Sequence, residues 1–479
     1  MGGFFGAASR EDCIVDLFYG TDYHCHLGTR RGGMAVLSED GFTRSIHDIS
    51  HDHFKSKFVD EIARMRGNSG IGIISDYEDQ PLLIGSHLGT YAIVTVGVIR
   101  NAASLAAEAF RKRTTHFSEM SGNEINPTEL VATIINQEES FEEGIQRVQR
   151  SIVGSCSLLL LTRDGIYAAR DRFGRTPVVV GRSEKGMAVS METCSFPNLG
   201  YEIAGELGPG EIVFVTPDGM EQRIAPGGLL QICSFLWIYY GYPSSSYQGI
   251  NVEEARYNCG AALARADDAA VDYVAGIPDS GTAHALGYSN EAHVPYKRPF
   301  VKYSPAWSRS FMPPNQEVRD LVARMKLIPI REITEGARML FCDDSIVRGT
   351  QLKDTFQRLY AYGAREIHMR IACPPLLHGC PFLNFSRSRS EFDLAARRAV
   401  RELEREKQPD LAPYADPSTE EYWRMVERIR SRMSLTSLRY QRLEDMVASI
   451  GLPRGKLCTG CWTGPVFYEM EERPELPFD

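Results

Sequence analysis

The chain has 479 residues, enough for two or three domains of about 150 residues, each with its own core. Hydrophobic residues make up 43% and charged residues 24%, the balance of a water-soluble globular protein. The net charge of -9 argues against a nucleic-acid partner, because a phosphate-backbone binder usually shows a basic face.

The longest apolar runs, such as Tyr91 to Ile99, are strand-sized and fall short of the ~18 residues of a membrane helix, so no membrane partner is expected. The first residues lack the basic stretch of a secretory signal, and Gly6 breaks the myristoylation pattern, so a cytoplasmic location is expected. The 11 cysteines then read as reduced thiols, some able to hold a metal.

Residues 1 to about 225 read as strand-rich. Apolar β-branched runs recur at Gly70 to Ile74, Tyr91 to Ile99, Cys156 to Thr162, Pro177 to Gly181 and Glu211 to Thr216. Helical patterns lie between them, at Pro127 to Asn136 and Phe141 to Ser151. This is an α+β pattern with two sheets. His24 and His26 flank Cys25, but on a strand such a triplet alternates faces and does not converge on a metal. Pro226-Gly227-Gly228 reads as a linker. Beyond it the pattern becomes βαβ: a helix over Val252 to Arg265, a strand over Val271 to Gly276, another at Arg338 to Phe341, a helix from Thr350 to Tyr362 and a strand from Glu366 to Ala372. Residues 387 to 447 are charged and read as helical. Arg397, Arg401 and Arg405 form a stripe there that reads as a solvated face beside Glu402 and Glu406.

The most informative segment runs from Arg338 to Thr350. An apolar strand ends in Asp343 and Asp344, and the loop Ser345, Ile346, Val347, Arg348 and Gly349 opens a helix at Thr350. Backbone N–H groups at a helix start suit a phosphate dianion, and Gly349 lets the backbone come close to it. Two acids at the C-terminal end of a strand can accept hydrogen bonds from sugar hydroxyls and help place Mg²⁺ through water.

This segment resembles the 5-phosphoribosyl-1-pyrophosphate (PRPP) motif of type I phosphoribosyltransferases. Pro278, Asp279, Ser280, Gly281 and Thr282, after a buried strand, look like that family's pyrophosphate loop, and Arg309 to Lys326 looks like the loop that closes over PRPP. The segment from Cys233 to Tyr240 and the N-terminal half are similar to one branch, the glutamine PRPP amidotransferases. The resemblance implies an N-terminal Ntn-hydrolase-like (glutaminase-like) domain over 1–228 and an α/β type I phosphoribosyltransferase domain over 229–479. It implies Mg²⁺ at Ser280, Asp343 and Asp344, and Lys302, Arg309 and Lys326 as the cations on the departing pyrophosphate. Substrates would be PRPP and ammonia or another amine. A homo-oligomer such as a tetramer, inhibited by purine nucleotides, is implied as well.

The glutaminase half departs from the family pattern at the positions that carry its chemistry. The family begins Cys-Gly-Ile-Phe-Gly, its thiolate being the nucleophile and its own α-amino group the base. Here Gly2 stands at the nucleophile position. The family's His-Val-Arg-Tyr, whose Arg binds the glutamine carboxylate, aligns with Ile73-Ile74-Ser75-Asp76. Its oxyanion segment His-Asn-Gly-Asn aligns with Thr95-Val96-Gly97-Val98, and its amine-binding Asp with Pro127; Arg30, Gly72 and Gly97 survive. The expectation is a retained fold without glutaminase activity. The activity expected is an ammonia-dependent transfer forming 5-phosphoribosylamine and pyrophosphate. The alternatives are a catalytically silent PRPP-binding paralogue that regulates or scaffolds another enzyme, and a transferase with another acceptor.

Cys458-Thr-Gly-Cys461 is a C-x-x-C, and some family members carry a [4Fe–4S] cluster on four cysteines in the contexts of Cys233, Cys380, Cys458 and Cys461. Four thiolates fit a cubane cluster or structural zinc. The other cysteines, 13, 25, 156, 194, 259, 342 and 373, read as core residues.

Overall fold

A computed structural model describes residues 2–111, 117, 120–121, 124–303, 327–383, 393–404 and 409–466. The N-terminal half holds two antiparallel sheets. The first runs Glu202–Glu206, Val179–Arg182, Gly186–Ser190, Gly3–Ser9, Ser69–Ser75, Arg31–Ser38, Gly41–Asp48. The second runs Gly219–Ile224, Ile212–Thr216, Ile166–Ala169, Gly154–Leu161, Gly89–Ile99, Leu82–Ser86.

Side-chain alternation explains the layering. From the strand Gly3–Ser9, Phe4 and Ala8 enter the core between the sheets, with Ile71, Ile73, Val94 and Leu159. Phe5 and Ala7 point the other way, into a second core with Leu17, Phe18, Phe54 and Phe58 of the helices Ile14–Asp22 and Phe54–Arg64. The outer face of the second sheet packs on the helices Pro127–Ile135 and Phe141–Ser151. Asn126 and Ser140 cap those helices, accepting from the backbone N–H groups of Thr128 and Glu143. The order is therefore helix, sheet, sheet, helix.

After an exposed Pro226-Gly227-Gly228, the chain builds a parallel sheet ordered Tyr273–Gly276, Arg338–Asp343, Glu366–Ile371, Ser437–Tyr440. The last strand corrects the all-helical reading of residues 387–447. Its Leu438 and Tyr440 are buried at strand period, and four residues between charged helices are too few for periodicity to register. A second correction concerns His24 to His26. They lie in a turn after the helix Ile14–Asp22 and not on a strand; His24 is fully buried, with Nδ1 2.9 Å from Gly20 O. The C-terminal tail returns to the junction of the halves, where Ile232–Cys233 pairs in parallel with Leu457–Cys458. Among the described residues no helix is long and apolar enough to cross a membrane.

Candidate active site

The strands Tyr273–Gly276 and Arg338–Asp343 are parallel neighbours in the register Gly276 to Cys342, so the loops that follow them leave from one edge of the sheet. This is where ligands bind open α/β sheets. Ile277 N donates to Cys342 O at 3.0 Å, tying the first loop to the second strand. Gly281 opens the helix Gly281–Ala292 directly against that strand; a Cβ there would lie 2.3 Å from Cys342 O. Ser280 Oγ then donates to Asp343 Oδ1 at 3.4 Å. Asp343 Oδ1 also accepts from Asp344 N at 3.0 Å, and Ser345 Oγ donates to Asp344 Oδ1 at 3.3 Å.

Both carboxyls are buried. Burial pushes Asp343 well above the usual carboxylate range, and the neighbouring Asp344 charge adds to it. Burial raises Asp344 to about 7, opposed chiefly by the charge of Arg256. Two adjacent acids out of water form a site that gains from a cation.

The loop beyond them ends at Gly349, in the left-handed region with φ 74°, which caps the helix Thr350–Ala361. Ile346 is buried, and Val347 O accepts from Ala395 N at 2.7 Å, so the loop is anchored from below. Arg348 pairs with Asp393 at 3.5 Å. Pro278 and Asp279 lie at the mouth of the first loop; Asp279 O accepts from Thr282 N at 3.2 Å, and its exposed carboxylate pairs with Lys302 at 2.5 Å. Pro278 to Thr282, Lys302 and Asp343 to Gly349 therefore converge. Arg309 and Lys326 lie outside the described residues.

One charge in this region escapes the motif-based reading. Arg256 is buried; its Nε donates to Trp237 O at 2.8 Å and its Nη2 to Tyr239 O and Gly241 O at 2.7 and 2.8 Å. His284 Nε2 lies 3.2 Å from Ile238 O. The two hold the wide helical turn Leu236–Tyr240 against the acid-pair domain. The signal was present: Arg256 sits on the apolar stripe of its helix with Val252, Cys259 and Leu263.

In the N-terminal half the pocket positions are turned inward on the chain itself. A Cβ at Gly2 would stand 2.4 Å from Ile74 O. Ser75 Oγ donates to Glu78 Oε2 at 2.8 Å, and Thr95 Oγ1 is 2.7 Å from Thr128 Oγ1. The buried Gln80 amide bonds Thr95 twice, accepting from its N–H at 2.7 Å and donating to its carbonyl at 3.2 Å. Asp76 accepts from Thr29 N and Oγ1 at 2.9 and 3.2 Å.

Cys233, Cys380, Cys458 and Cys461 line one small pocket with Arg175 and Phe382. The Cys380 and Cys461 thiols are hydrogen-bonded, and Leu383 N donates to Cys380 Sγ at 3.4 Å. Burial pushes the Cys233 thiol up, and the neighbouring Cys458 and Cys380 add to this. Among the described residues no three His, Cys, Asp or Glu stand in ready-made coordination geometry, so the thiols converge without being drawn to ligand positions. Of the other cysteines six are buried in the cores and Cys25 is half-buried.

Comparison with known proteins agrees with both halves. Residues 68–197 match the model of a glutamine amidotransferase domain. The chain is 32% identical to the chloroplastic amidophosphoribosyltransferase of Glycine max, covering 97% of this chain and 79% of that one. It is 30% identical to the amidophosphoribosyltransferase of Bacillus subtilis, over 84% and 85% of the two chains. The solved glutamine PRPP amidotransferase of B. subtilis, complexed with ADP and GMP, superposes with a TM-score of 0.82 at 26% identity, over 97% of each chain. The fold is thus an Ntn-type amidotransferase half followed by a phosphoribosyltransferase half. The chain belongs to the amidophosphoribosyltransferase family, a class of phosphoribosyltransferase enzymes.

Proposed function

We propose that this chain transfers the phosphoribosyl group of PRPP to ammonia, without glutaminase activity, releasing 5-phosphoribosylamine and pyrophosphate in purine synthesis. The observation that carries the transfer is the convergence of Asp343, Asp344, Ser280 and the Gly349 loop at one sheet edge. In this reading the backbone from Ser345 to Thr350 holds the 5′-phosphate, with Ile346, Val347 and Arg348 presenting their N–H groups. Asp343 and Asp344 accept from the ribose hydroxyls. Pro278 to Thr282 cradle the pyrophosphate, with Lys302, Arg309 and Lys326 as cations. The ammonia nitrogen bonds to C1 as the C1–O bond to pyrophosphate breaks, and pyrophosphate leaves with the electron pair. The product ammonium gives its extra proton to solvent. Ser280, Asp343 and Asp344 offer hard oxygens suited to Mg²⁺, which when bound neutralises charge on the leaving group.

The loss of glutaminase activity rests on the N-terminal half. Gly2 lies where a side chain would strike Ile74 O, and the donors around Thr95 and Ser75 are spent on the chain itself. Ammonia then comes free or from another protein. The domains are proposed as 1–228 and 229–479, the first retained because it covers the second.

The four thiols of Cys233, Cys380, Cys458 and Cys461 are proposed as the ligands of a [4Fe–4S] cluster. Their convergence in one pocket supports it, and an all-thiolate set suits a soft metal. Pyrophosphate release from PRPP and Mg²⁺ with ammonium, with glutamine or with neither tests the function. Release with ammonium and none above background with glutamine is expected. Tight PRPP binding with no release across a panel of amines would favour a silent regulatory paralogue.

A further inference from the structure

The loop of residues 345–349 is held by a helix that lies outside the acid-pair motif. Val347 O accepts from Ala395 N at 2.7 Å, at the first residue of the helix Ala395–Glu404. Arg348 O, the next carbonyl along the loop, accepts from Arg398 Nη2, within the first turn of the same helix. Both peptide bonds are trans, and a trans peptide points its C=O and its N–H to opposite sides. Two consecutive carbonyls turned onto the helix therefore turn the N–H groups of Arg348 and Gly349 away from it. Arg398 is placed by this contact. Its Nε is buried and meets no acceptor among the described residues, a cost that a helix-surface arginine avoids by turning to water. The helix is itself braced. Leu394, Ala395, Ala399 and Val400 are buried in the C-terminal core, and Glu402 pairs with Arg428 at 2.8 Å and with Arg432 from the helix Glu420–Arg432. Met433 follows that helix and lies beside the loop: a Cβ at Gly349 would stand 3.5 Å from its Sδ.

We propose that Arg398 is a positioning residue for the 5′-phosphate of PRPP: by holding the Arg348 carbonyl it aims the Gly349 N–H, as Ala395 N aims the Arg348 N–H through Val347 O. This rests on the phosphoribosyl-transfer reading above. A short loop containing a glycine has several backbone conformations open to it, whereas an anion needs its N–H groups in one. Fixing them before the ligand arrives removes an ordering cost from binding. The helix Ala395–Glu404 is thus part of the phosphate cradle, although a strand and a long connection separate it from the motif in sequence.

The test uses the full chain as wild type, Arg398→Ala and Arg398→Lys. Ribose 5-phosphate binding is measured by calorimetry, and pyrophosphate release from PRPP under saturating ammonium. Ribose 5-phosphate carries the phosphate without the leaving group, and its binding does not depend on turnover. Arg398→Ala should weaken that binding by about tenfold or more at unchanged stoichiometry, and raise the KM for PRPP by a similar factor with kcat within about twofold. Arg398→Lys, which keeps a donor on a long stem, should recover most of the affinity. A merely structural Arg398 would lower the stoichiometry or kcat, by unfolding part of the sample, and leave the affinity as it is. If Arg398→Ala does not fold, Ala395→Pro supplies the comparison. It deletes the N–H that holds Val347 O at the first helical position, where proline is tolerated, and should weaken ribose 5-phosphate binding in the same way. Unchanged affinity in folded Arg398→Ala or, failing that, Ala395→Pro protein overturns the positioning role alone. A wild type that binds neither ribose 5-phosphate nor PRPP overturns the phosphoribosyl-transfer reading and, with it, this inference.

Discussion

Asp344 is a carboxyl kept from water beside a second carboxyl, with a buried arginine as its nearest electrostatic relief. Such an arrangement is unfavourable in isolation and becomes favourable when a cation and sugar hydroxyls complete it. Replacing a charged hydrogen-bonding partner in a buried ligand site costs about 2–4 kcal/mol, or roughly 30- to 1000-fold in rate. Asp344→Asn should lower ammonium-dependent pyrophosphate release by that factor while far-UV circular dichroism stays unchanged. Equal rates for the two proteins would remove Asp344 from the site. Gly2 makes the opposite argument. Gly2→Cys restores a thiol on paper, yet its Cβ meets Ile74 O, and Ser75 and Thr95 provide neither carboxylate anchor nor free oxyanion donor. We expect no glutamate release from glutamine in the Gly2→Cys protein, with or without PRPP. The acid pair was legible in sequence because strand, acids, small-residue loop and helix are contiguous. The acceptors of Arg256 were not, since they are the backbone carbonyls of Trp237, Tyr239 and Gly241, which no side-chain pattern marks.

Elements decide where these residues stand. The helix Thr350–Ala361 starts at a glycine with φ 74°, a conformation that a β-branched residue adopts at a cost of about 1–3 kcal/mol. Gly349→Val should therefore weaken PRPP binding, measured by calorimetry, by tenfold or more through a displaced loop. Unaltered affinity would show that the loop does not hold the phosphate. The two-residue pairing of Ile232–Cys233 with Leu457–Cys458 is too short to hold a tail unaided. Ser234 Oγ adds a bond to Cys458 O at 2.9 Å, and the Phe235 and Trp462 rings stack at 4.9 Å. Cys458→Ser should abolish broad absorbance near ~400 nm in anaerobic protein and lower the melting temperature, as loss of a cluster ligand at this seam requires. Stoichiometric zinc without iron in the wild type would replace the cluster. Most buried strands showed as apolar runs because helices or sheets cover both faces. The strands Gly3–Ser9 and Arg31–Ser38 did not, being rich in Gly and Ala whose burial comes from the neighbouring sheet. The strand Ser437–Tyr440 was hidden by its brevity.

At the scale of the molecule, the halves are joined by a buried carboxylate. Glu192 Oε1 accepts from Tyr242 N at 3.2 Å and from the Tyr247 hydroxyl at 3.0 Å on one side, and lies 3.1 Å from His26 Nε2 on the other. Burial alone would push Glu192 up, but His26 and the Tyr247 hydroxyl hold it below the usual carboxylate range. Each half also buries a neutral histidine: burial takes His24 from 6.5 down to about 4, and His284 from 6.5 down to about 3. The signs agree. A histidine whose folded pKa is depressed leaves the unfolded chain holding more protons as pH falls below 6.5, so stability drops until the folded pKa is reached. A carboxylate with a depressed folded pKa stabilises above its unfolded value near 4.5 and loses that contribution on further acidification. The melting temperature should therefore be level above pH 6.5 in these terms. Between pH 6.5 and 4 the two histidines lower stability by up to about 1.4 kcal/mol per pH unit each, with Glu192 adding its loss at the acid end, while Asp343 and Asp344, whose folded pKa values are raised, oppose them over the same range. His24→Gln removes one of the two histidines. It should take that histidine's share of the acid loss out of the profile even if it lowers stability at neutral pH, because a glutamine has no proton to gain. Melting curves of wild type and His24→Gln from pH 4.5 to 7.5 check this, and parallel profiles would mean that His24 is not held neutral in the folded protein.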